Sequence, residues 1–146
     1  MVFFHGTKSE NFTGNFDVKF SANRGFLCFL TEDYSYAAAY GRVVSIEAEI
    51  GNSLDLRAET EAYEEIELPV SAWIAVLAEK GLQVSLLDED WADVEIPVWH
   101  LWADACDAST KTTFADAIVA SEFDAVQLFE FGGAGGGSET VGIVAK

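Results

Sequence analysis

Two short apolar runs late in the chain are separated by a stretch that is almost entirely glycine. Residues 124–131 read DAVQLFEF, residues 132–137 read GGAGGG, and residues 138–145 read SETVGIVA. Both apolar runs have the length and the β-forming composition of buried strands. A glycine-rich connection lets the second run turn back on the first. The pattern therefore predicts a β-hairpin, which the rest of the fold must accommodate.

The first half of the chain supplies further strands. Residues 1–5 (MVFFH) and 25–31 (GFLCFLT) are continuous apolar runs. Residues 42–50 alternate apolar with polar side chains, as in a strand with one face in water. Between the last two runs, EDYSYAAAYG changes to a helical period and ends at Gly41, a good helix terminator. A strand, a short helix and a second strand are therefore predicted in this order.

The middle of the chain favours helices. Pro69 suits the first turn of a helix that ends at Gly81. Further helices are predicted within residues 98–106 and 112–123. Strands toward both ends with helices between them indicate one α+β domain over residues 1–146, built on a mixed or antiparallel sheet.

Charge and composition limit the partners that this chain can have. It carries 25 acidic and 8 basic residues, a formal net charge of -17, and half of its residues are hydrophobic. The hydrophobic half is enough for a folded core, so the acidity is not that of a disordered chain. Phosphates attract Lys and Arg, so direct binding to nucleic acid is not expected. A protein partner with a basic surface is expected instead, with plain solubility as the simpler explanation.

Features of membrane and exported proteins are not found in the sequence. No run approaches the roughly 18 apolar residues of a membrane span, and the N-terminus does not have the pattern of a signal peptide. Cys28 and Cys106 lie far apart in apolar surroundings, which is typical of buried thiols. We therefore expect a monomeric cytoplasmic protein that has no membrane association.

Several kinds of site can be set aside on their motifs. The glycines of residues 132–137 are not followed by Lys-Ser or Lys-Thr, so the P-loop interpretation fails. His5, His100 and the cysteines do not have the short paired spacing of metal sites, so no metal is expected. Neither histidine accompanies a recognisable nucleophile motif.

An ordered set of motifs remains. His5-Gly6-Thr7 follows the first strand, an aromatic strand preceded by Arg24-Gly25 comes next, a helix holds AAAY, and an acid begins the final strand. In this order the chain resembles the ADP-ribosyltransferase superfamily, in the diphtheria-toxin and PARP-like branch whose active site is written His, Tyr, Glu. The resemblance skips residues 58–121. Within the superfamily the chain is most similar to phage-encoded anti-CRISPR transferases of type I-F.

The resemblance implies a split sheet of mixed or antiparallel strands with short helices, and an NAD site at the His-Gly-Thr turn. His5 would hydrogen-bond a ribose hydroxyl, and the Gly6 backbone would bond the nicotinamide carboxamide. A glycine there lets a flat ring approach the main chain. Thr7 would contact the sugar. The plain alternative is that His5 is an ordinary residue at a strand end.

The same resemblance assigns the aromatic residues. Phe29 stands where the family has its central tyrosine, so only a stacking surface is kept unless Tyr34 or Tyr36 supplies the hydroxyl. Tyr40, and Tyr36 with it, would stack on the nicotinamide. Core packing is the alternative interpretation of these two tyrosines.

Two acids in the closing hairpin are candidates for the catalytic carboxylate. Breaking the nicotinamide–ribose bond leaves positive charge on the sugar, which a nearby carboxylate stabilises. Glu139 is preferred because it directly precedes TVGIV, as the family acid precedes its strand. Glu130 is the alternative that the anti-CRISPR comparison suggests. Glu139 can also be an ordinary solvated acid.

The function that the resemblance implies is NAD-dependent mono-ADP-ribosylation of a protein. The target would be a protein with a basic surface, such as a DNA-binding Cas subunit of a type I-F complex in the host bacterial cytoplasm. Two alternatives stay open. The chain could be a non-catalytic acidic inhibitor that mimics DNA, or an ADP-ribosylating toxin with another target.

Overall fold

The computed structural model describes residues 1–10, 12, 24–61, 63–102, 111–131 and 137–146, with the backbone alone at Phe131. The strands in these ranges are β1 (Val2–Thr7), β2 (Phe26–Leu30), β3 (Arg42–Glu47), β4 (Ser53–Asp55), β5 (Glu67–Pro69), β6 (Glu95–Pro97), β7 (Ala125–Phe131) and β8 (Gly137–Val144). The α-helices are α1 (Tyr34–Ala38), α2 (Val70–Glu79) and α3 (Phe114–Ala120), and short 3₁₀ turns occupy Glu89–Trp91 and Val98–Leu101.

A four-stranded sheet in the order β2-β8-β7-β4 forms the centre of the fold. β8 is antiparallel to both of its neighbours, whereas β4 runs parallel to β7, so the sheet is mixed. β1 and β3 form a separate antiparallel pair, and β5 and β6 form another. The predicted α+β class is therefore confirmed.

One bridge joins the β1–β3 pair to the end of β2. Phe4 N donates to Thr31 O at 2.7 Å, and Thr31 N donates to Phe4 O at 3.0 Å. Thr31 is almost fully buried. Its Oγ1 donates to Glu139 O on β8 at 3.1 Å and accepts from Asp33 N, just before α1, at 3.0 Å. This threonine thus holds β1, β2, β8 and α1 together.

The hairpin predicted from the glycine run is confirmed. β7 and β8 are paired from Ala125 opposite Ile143 to Phe131 opposite Gly137. Residues 132–136, which connect them, lie outside the described ranges. In this register Glu139 lies opposite Phe129, and Thr140 lies opposite Leu128. Directly opposed residues share a face, and consecutive residues alternate between faces.

The helix predicted after Pro69 is also confirmed as α2, which is followed by Gly81 in a positive-φ conformation (φ +99°). Trp73 and Leu77 on this helix are fully buried. Trp73 Nε1 donates to Ile96 O at 2.7 Å, which ties α2 to β6. The helix therefore packs one apolar stripe into the core.

Two of the other helical predictions need adjustment. The helix expected within residues 112–123 is present as the shorter α3. Of residues 98–106, those up to Trp102 are described, and they form only the 3₁₀ turn at Val98–Leu101. Val98 and Leu101 are both buried at a spacing of three. A 3₁₀ turn aligns residues at that spacing on one side, so one turn places both side chains in the core.

Two apolar cores cover opposite faces of the central sheet. The larger core contains Trp73, Trp102 and Phe114, and the smaller one contains Phe3 and Cys28. Burial raises the pKa of the Cys28 thiol to about 12, so it stays protonated. Cys106, the second predicted buried thiol, lies outside the described residues. None of the helices in the described ranges combines the length and hydropathy of a transmembrane segment.

Candidate active site

A cavity of about 600 Å³ opens between β1, β2, α1 and the hairpin. We call it the central cavity. It is within the size range of ligand-binding pockets. Its lining includes His5, Gly6, Phe29, Tyr36, Tyr40 and Glu130, all of which were expected from the sequence, together with Arg24, Trp99, Trp102 and Thr140. Thr7 and Glu139 are not part of it.

His5 lies on β1 and reaches across to β2. Its Nδ1 is 2.9 Å from the carbonyl oxygen of Phe29. A carbonyl can only accept, so Nδ1 carries the hydrogen, and Nε2 is the basic nitrogen of the neutral ring. The backbone of β2 thereby fixes the orientation of the imidazole at the wall of the central cavity.

The His-Gly-Thr segment is a strand and not the expected turn. His5, Gly6 and Thr7 pair with Val44, Val43 and Arg42 of β3. Thr7 Oγ1 accepts from Ser9 N at 3.1 Å, at the end of the strand and outside the central cavity. The predicted sugar contact of Thr7 is therefore not supported by its position.

Gly6 is needed where it is because α1 lies directly against it. A Cβ at this position would overlap the carbonyl oxygen of Ala37 and come within 3.0 Å of Tyr40 Cβ. The missing side chain lets α1 pack on β1. It also brings Tyr36 and Tyr40 to the rim of the central cavity.

The two tyrosines of this rim form a hydrogen-bonded pair. Asp33 Oδ1 accepts from Tyr36 N at 3.1 Å and caps α1. The hydroxyls of Tyr36 and Tyr40 are 3.2 Å apart, and Tyr36 OH donates to the backbone carbonyl of Glu130 at 3.4 Å. Burial raises the pKa of both phenols, and the nearby Glu130 carboxyl adds to this rise. Both hydroxyls are therefore protonated at neutral pH.

Aromatic side chains form the apolar wall of the central cavity. The Phe29 ring stacks on Trp102 with centroids 6.1 Å apart, and Phe26 lies 5.0 Å from Phe29. Phe29 thus offers the flat surface expected of it. The contribution of Trp99 and Trp102 to this wall was not foreseen from the sequence.

Glu130 is the acid of the hairpin that enters the central cavity. Burial raises the pKa of its carboxyl above the ordinary 4.5. The Thr140 hydroxyl beside it opposes this rise, although no hydrogen bond of ordinary geometry joins the two groups. Among the described residues, no ion pair links Glu130 to a cation. A partly buried carboxyl thus lies at the same cavity as His5.

Glu139 lies elsewhere. It lines a second cavity of about 490 Å³, and its Oε1 accepts from Arg57 Nη1 at 3.0 Å. Arg57 also donates to both oxygens of Asp55, at 2.9 and 2.8 Å, and these bonds lower the pKa of Asp55 to about 2. The preferred acid is therefore an ion-pair partner outside the central cavity, because it occupies the opposite face of β8 from Thr140.

In the described ranges, no group of three His, Cys, Asp or Glu side chains is arranged to hold a metal ion. Comparisons of this chain with models of protein families, with curated proteins and with solved structures found no match.

Proposed function

We propose that this chain is an NAD-dependent ADP-ribosyltransferase that modifies a protein. The observation that carries the proposal is the presence of His5, the Tyr36–Tyr40 pair and Glu130 around one cavity, although they lie far apart in the sequence. The attachment of the β1–β3 pair to the central sheet through a single bridge at Thr31 suits the split sheet of that superfamily.

The groups around the cavity suit the chemistry of the proposed reaction. In the transfer, the bond between C1′ of the ribose and the nicotinamide nitrogen breaks, and its electron pair leaves with neutral nicotinamide. A nucleophile of the target then bonds to C1′ and loses its proton to solvent water. The ionised Glu130 carboxylate would stabilise the positive charge that develops on the sugar.

The other lining residues would bind and orient the dinucleotide. The aromatic wall at Phe29 and Trp102 suits the flat nicotinamide ring. His5 would hydrogen-bond a ribose hydroxyl, and the rings of Tyr36 and Tyr40 would stack on the nicotinamide. Arg24, which lines the same cavity, offers a cation to the phosphates.

The charge of -17 bears on the target. An acidic protein is attracted electrostatically to a basic surface, such as that of a DNA-binding protein. With the anti-CRISPR resemblance, this favours a Cas subunit of a type I-F complex as the protein modified, in the bacterial cytoplasm. An ADP-ribosylating toxin would use the same chemistry on another target.

The experiment compares two acids of one hairpin. The purified chain is incubated with labelled NAD and a lysate of bacteria that carry a type I-F system, and labelled proteins are identified by mass spectrometry. We expect one discrete labelled band. Glu130→Gln should reduce labelling about a hundredfold or more, whereas the matched control Glu139→Gln should label normally. Equal labelling by the Glu130 variant and the wild type would reject the proposed role.

The net charge also supports a second candidate, a non-catalytic inhibitor that occupies a basic groove in place of DNA. This candidate predicts inhibition of DNA binding in buffer that contains no NAD. It also predicts that inhibition weakens steeply as salt is added. Inhibition that requires NAD and is lost in the Glu130 variant would eliminate it.

A further inference from the structure

We infer that Thr140 is a positioning residue for Glu130, with its hydroxyl donating to the ionised carboxylate and holding it toward the central cavity. This inference rests on the proposed function. Thr140 lines the central cavity and is 2% exposed. Its Oγ1 is buried and has no hydrogen-bond partner among the described residues. An unpaired buried hydroxyl is destabilising, so its presence in a cavity calls for an explanation.

The other buried threonines differ from Thr140, because the hydroxyl of each has a hydrogen-bond partner. Thr31 Oγ1 donates to Glu139 O at 3.1 Å, and Thr60 Oγ1 donates to Leu56 O at 2.7 Å. Thr112 Oγ1 accepts from Phe114 N at 3.3 Å. Within the described ranges, Thr140 is thus the one buried threonine whose hydroxyl is left without a partner.

The register of the hairpin explains why Glu130 is the partner. Thr140 lies opposite Leu128, and Glu130 follows Leu128 by two residues on the same face of β7. Thr140 and Glu130 are therefore diagonal neighbours across the strand pair, a separation that a glutamate side chain can span. The hydroxyl of Tyr36 is already bonded to Tyr40 and to the backbone of Glu130. The Ser138 hydroxyl, directly opposite Glu130, donates to Glu139 O at 3.4 Å. Among these described hydroxyls, that of Thr140 is the one left for the carboxylate.

This pairing matters when the carboxyl changes its charge. A neutral carboxyl gains little from the hydroxyl, whereas an ionised one gains a charge-assisted hydrogen bond. As positive charge develops on the sugar, the carboxylate must be ionised and correctly oriented. The other titratable groups at this cavity are His5 on β1, Cys28 on β2, Tyr36 on α1, Tyr40 just after α1, and Arg24.

The test uses Thr140→Val, which removes the hydroxyl at nearly constant shape, and Thr140→Ser, which keeps it. The titration of the Glu130 carboxyl is followed by carbon NMR in the ligand-free protein, and NAD turnover is followed against pH. We expect Thr140→Val to move both the titration and the acidic limb of kcat to higher pH. On that limb kcat should fall about tenfold, the value of one hydrogen bond to a charged group. Thr140→Ser should behave as the wild type.

The NMR titration and the kinetics distinguish failure of this inference from failure of the proposed function. A Glu130 titration that is the same in wild type and Thr140→Val would overturn the inference, even if the variant were less active. An increase in KM with an unchanged pH profile would do the same, because it would assign the hydroxyl to ligand binding. A wild-type protein that consumes no NAD would reject the proposed function, whereas the NMR titration would still decide whether Thr140 holds Glu130.

Discussion

Replacing Glu130 with glutamine should stabilise the fold at neutral pH, although it removes the proposed catalytic carboxylate. Burial raises the pKa of this group above 4.5, so the folded state binds the proton more tightly than the unfolded state does. The contribution of the group to stability is complete below pH 4.5 and is lost as pH rises through the raised pKa. Glutamine does not titrate. The variant and the wild type should therefore have similar stability in acid and diverge as pH increases.

The size of the effect follows from the surroundings of the carboxylate. No ion pair from the described residues offsets its charge, and the Thr140 hydroxyl compensates only part of the effect of burial, since the pKa of Glu130 stays raised. Leaving a buried polar group without full compensation costs about 1–3 kcal/mol, and the partial exposure of Glu130 together with the Thr140 hydroxyl favours the lower end. We expect Glu130→Gln to raise the free energy of unfolding by about 1 kcal/mol at neutral pH.

The matched control has the opposite sign. Glu139→Gln weakens a 3.0 Å ion pair between side chains that are 48% and 41% exposed. Exposed pairs contribute about 0.2–1 kcal/mol, and Arg57 keeps its bonds to Asp55, so the loss should be about 0.5 kcal/mol or less.

Urea unfolding followed by the fluorescence of the four tryptophans would measure both variants between about pH 5 and pH 8. The reasoning would be refuted if Glu130→Gln were less stable than the wild type at neutral pH, or if the difference between them did not depend on pH. Either result would mean that the folded state fully compensates the carboxylate for its burial.

Two further predictions concern packing and charge. Gly6→Ala places a methyl group against the carbonyl of Ala37. The free energy of unfolding, measured in a urea titration, should therefore fall by about 1–3 kcal/mol. Unchanged stability would contradict the close contact of α1 with β1. Arg57→Met removes the side-chain hydrogen bonds and the charge that lower the pKa of Asp55 and keeps the backbone N–H that donates to it, so an NMR titration should show that pKa move from about 2 part of the way toward 3.8. The stability that the Arg57–Asp55 ion pair contributes is present above pH 3.8 and lost as pH falls toward 2. This contribution should be below about 1 kcal/mol, because both side chains are exposed.

Elements with a strong local pattern could be predicted from the sequence. The glycine run marked the hairpin, and Pro69 and Gly81 marked the two ends of α2. The strand at His5 was predicted too short, because its extension to Thr7 depends on pairing with β3. That pairing is a long-range contact, and it overrides the local tendency of Gly6 to form a turn.

The choice between the two acids could not be made from local pattern. Glu130 continues the buried series Val126 and Leu128, whereas Glu139 precedes the buried Val141. Both faces of the central sheet are covered by apolar cores, so the residues that share a face with Glu130 and those that share a face with Glu139 are equally apolar. Neither pattern indicates which face of the sheet holds the central cavity. A shift of one residue in register would exchange the faces of the two acids. Only the three-dimensional pairing decides between them.

The position of β8 has a consequence for how the protein folds. β8 lies between β2 and β7, and its pairing with β2 joins Phe26 to Val144. Contacts between such distant residues form slowly, because a large loop must close before any pairing energy is gained. Since β8 also carries Thr140, a partly folded chain in which β8 is unpaired would have neither a complete sheet nor a formed cavity. The activity that we propose should therefore appear together with global folding and not before it.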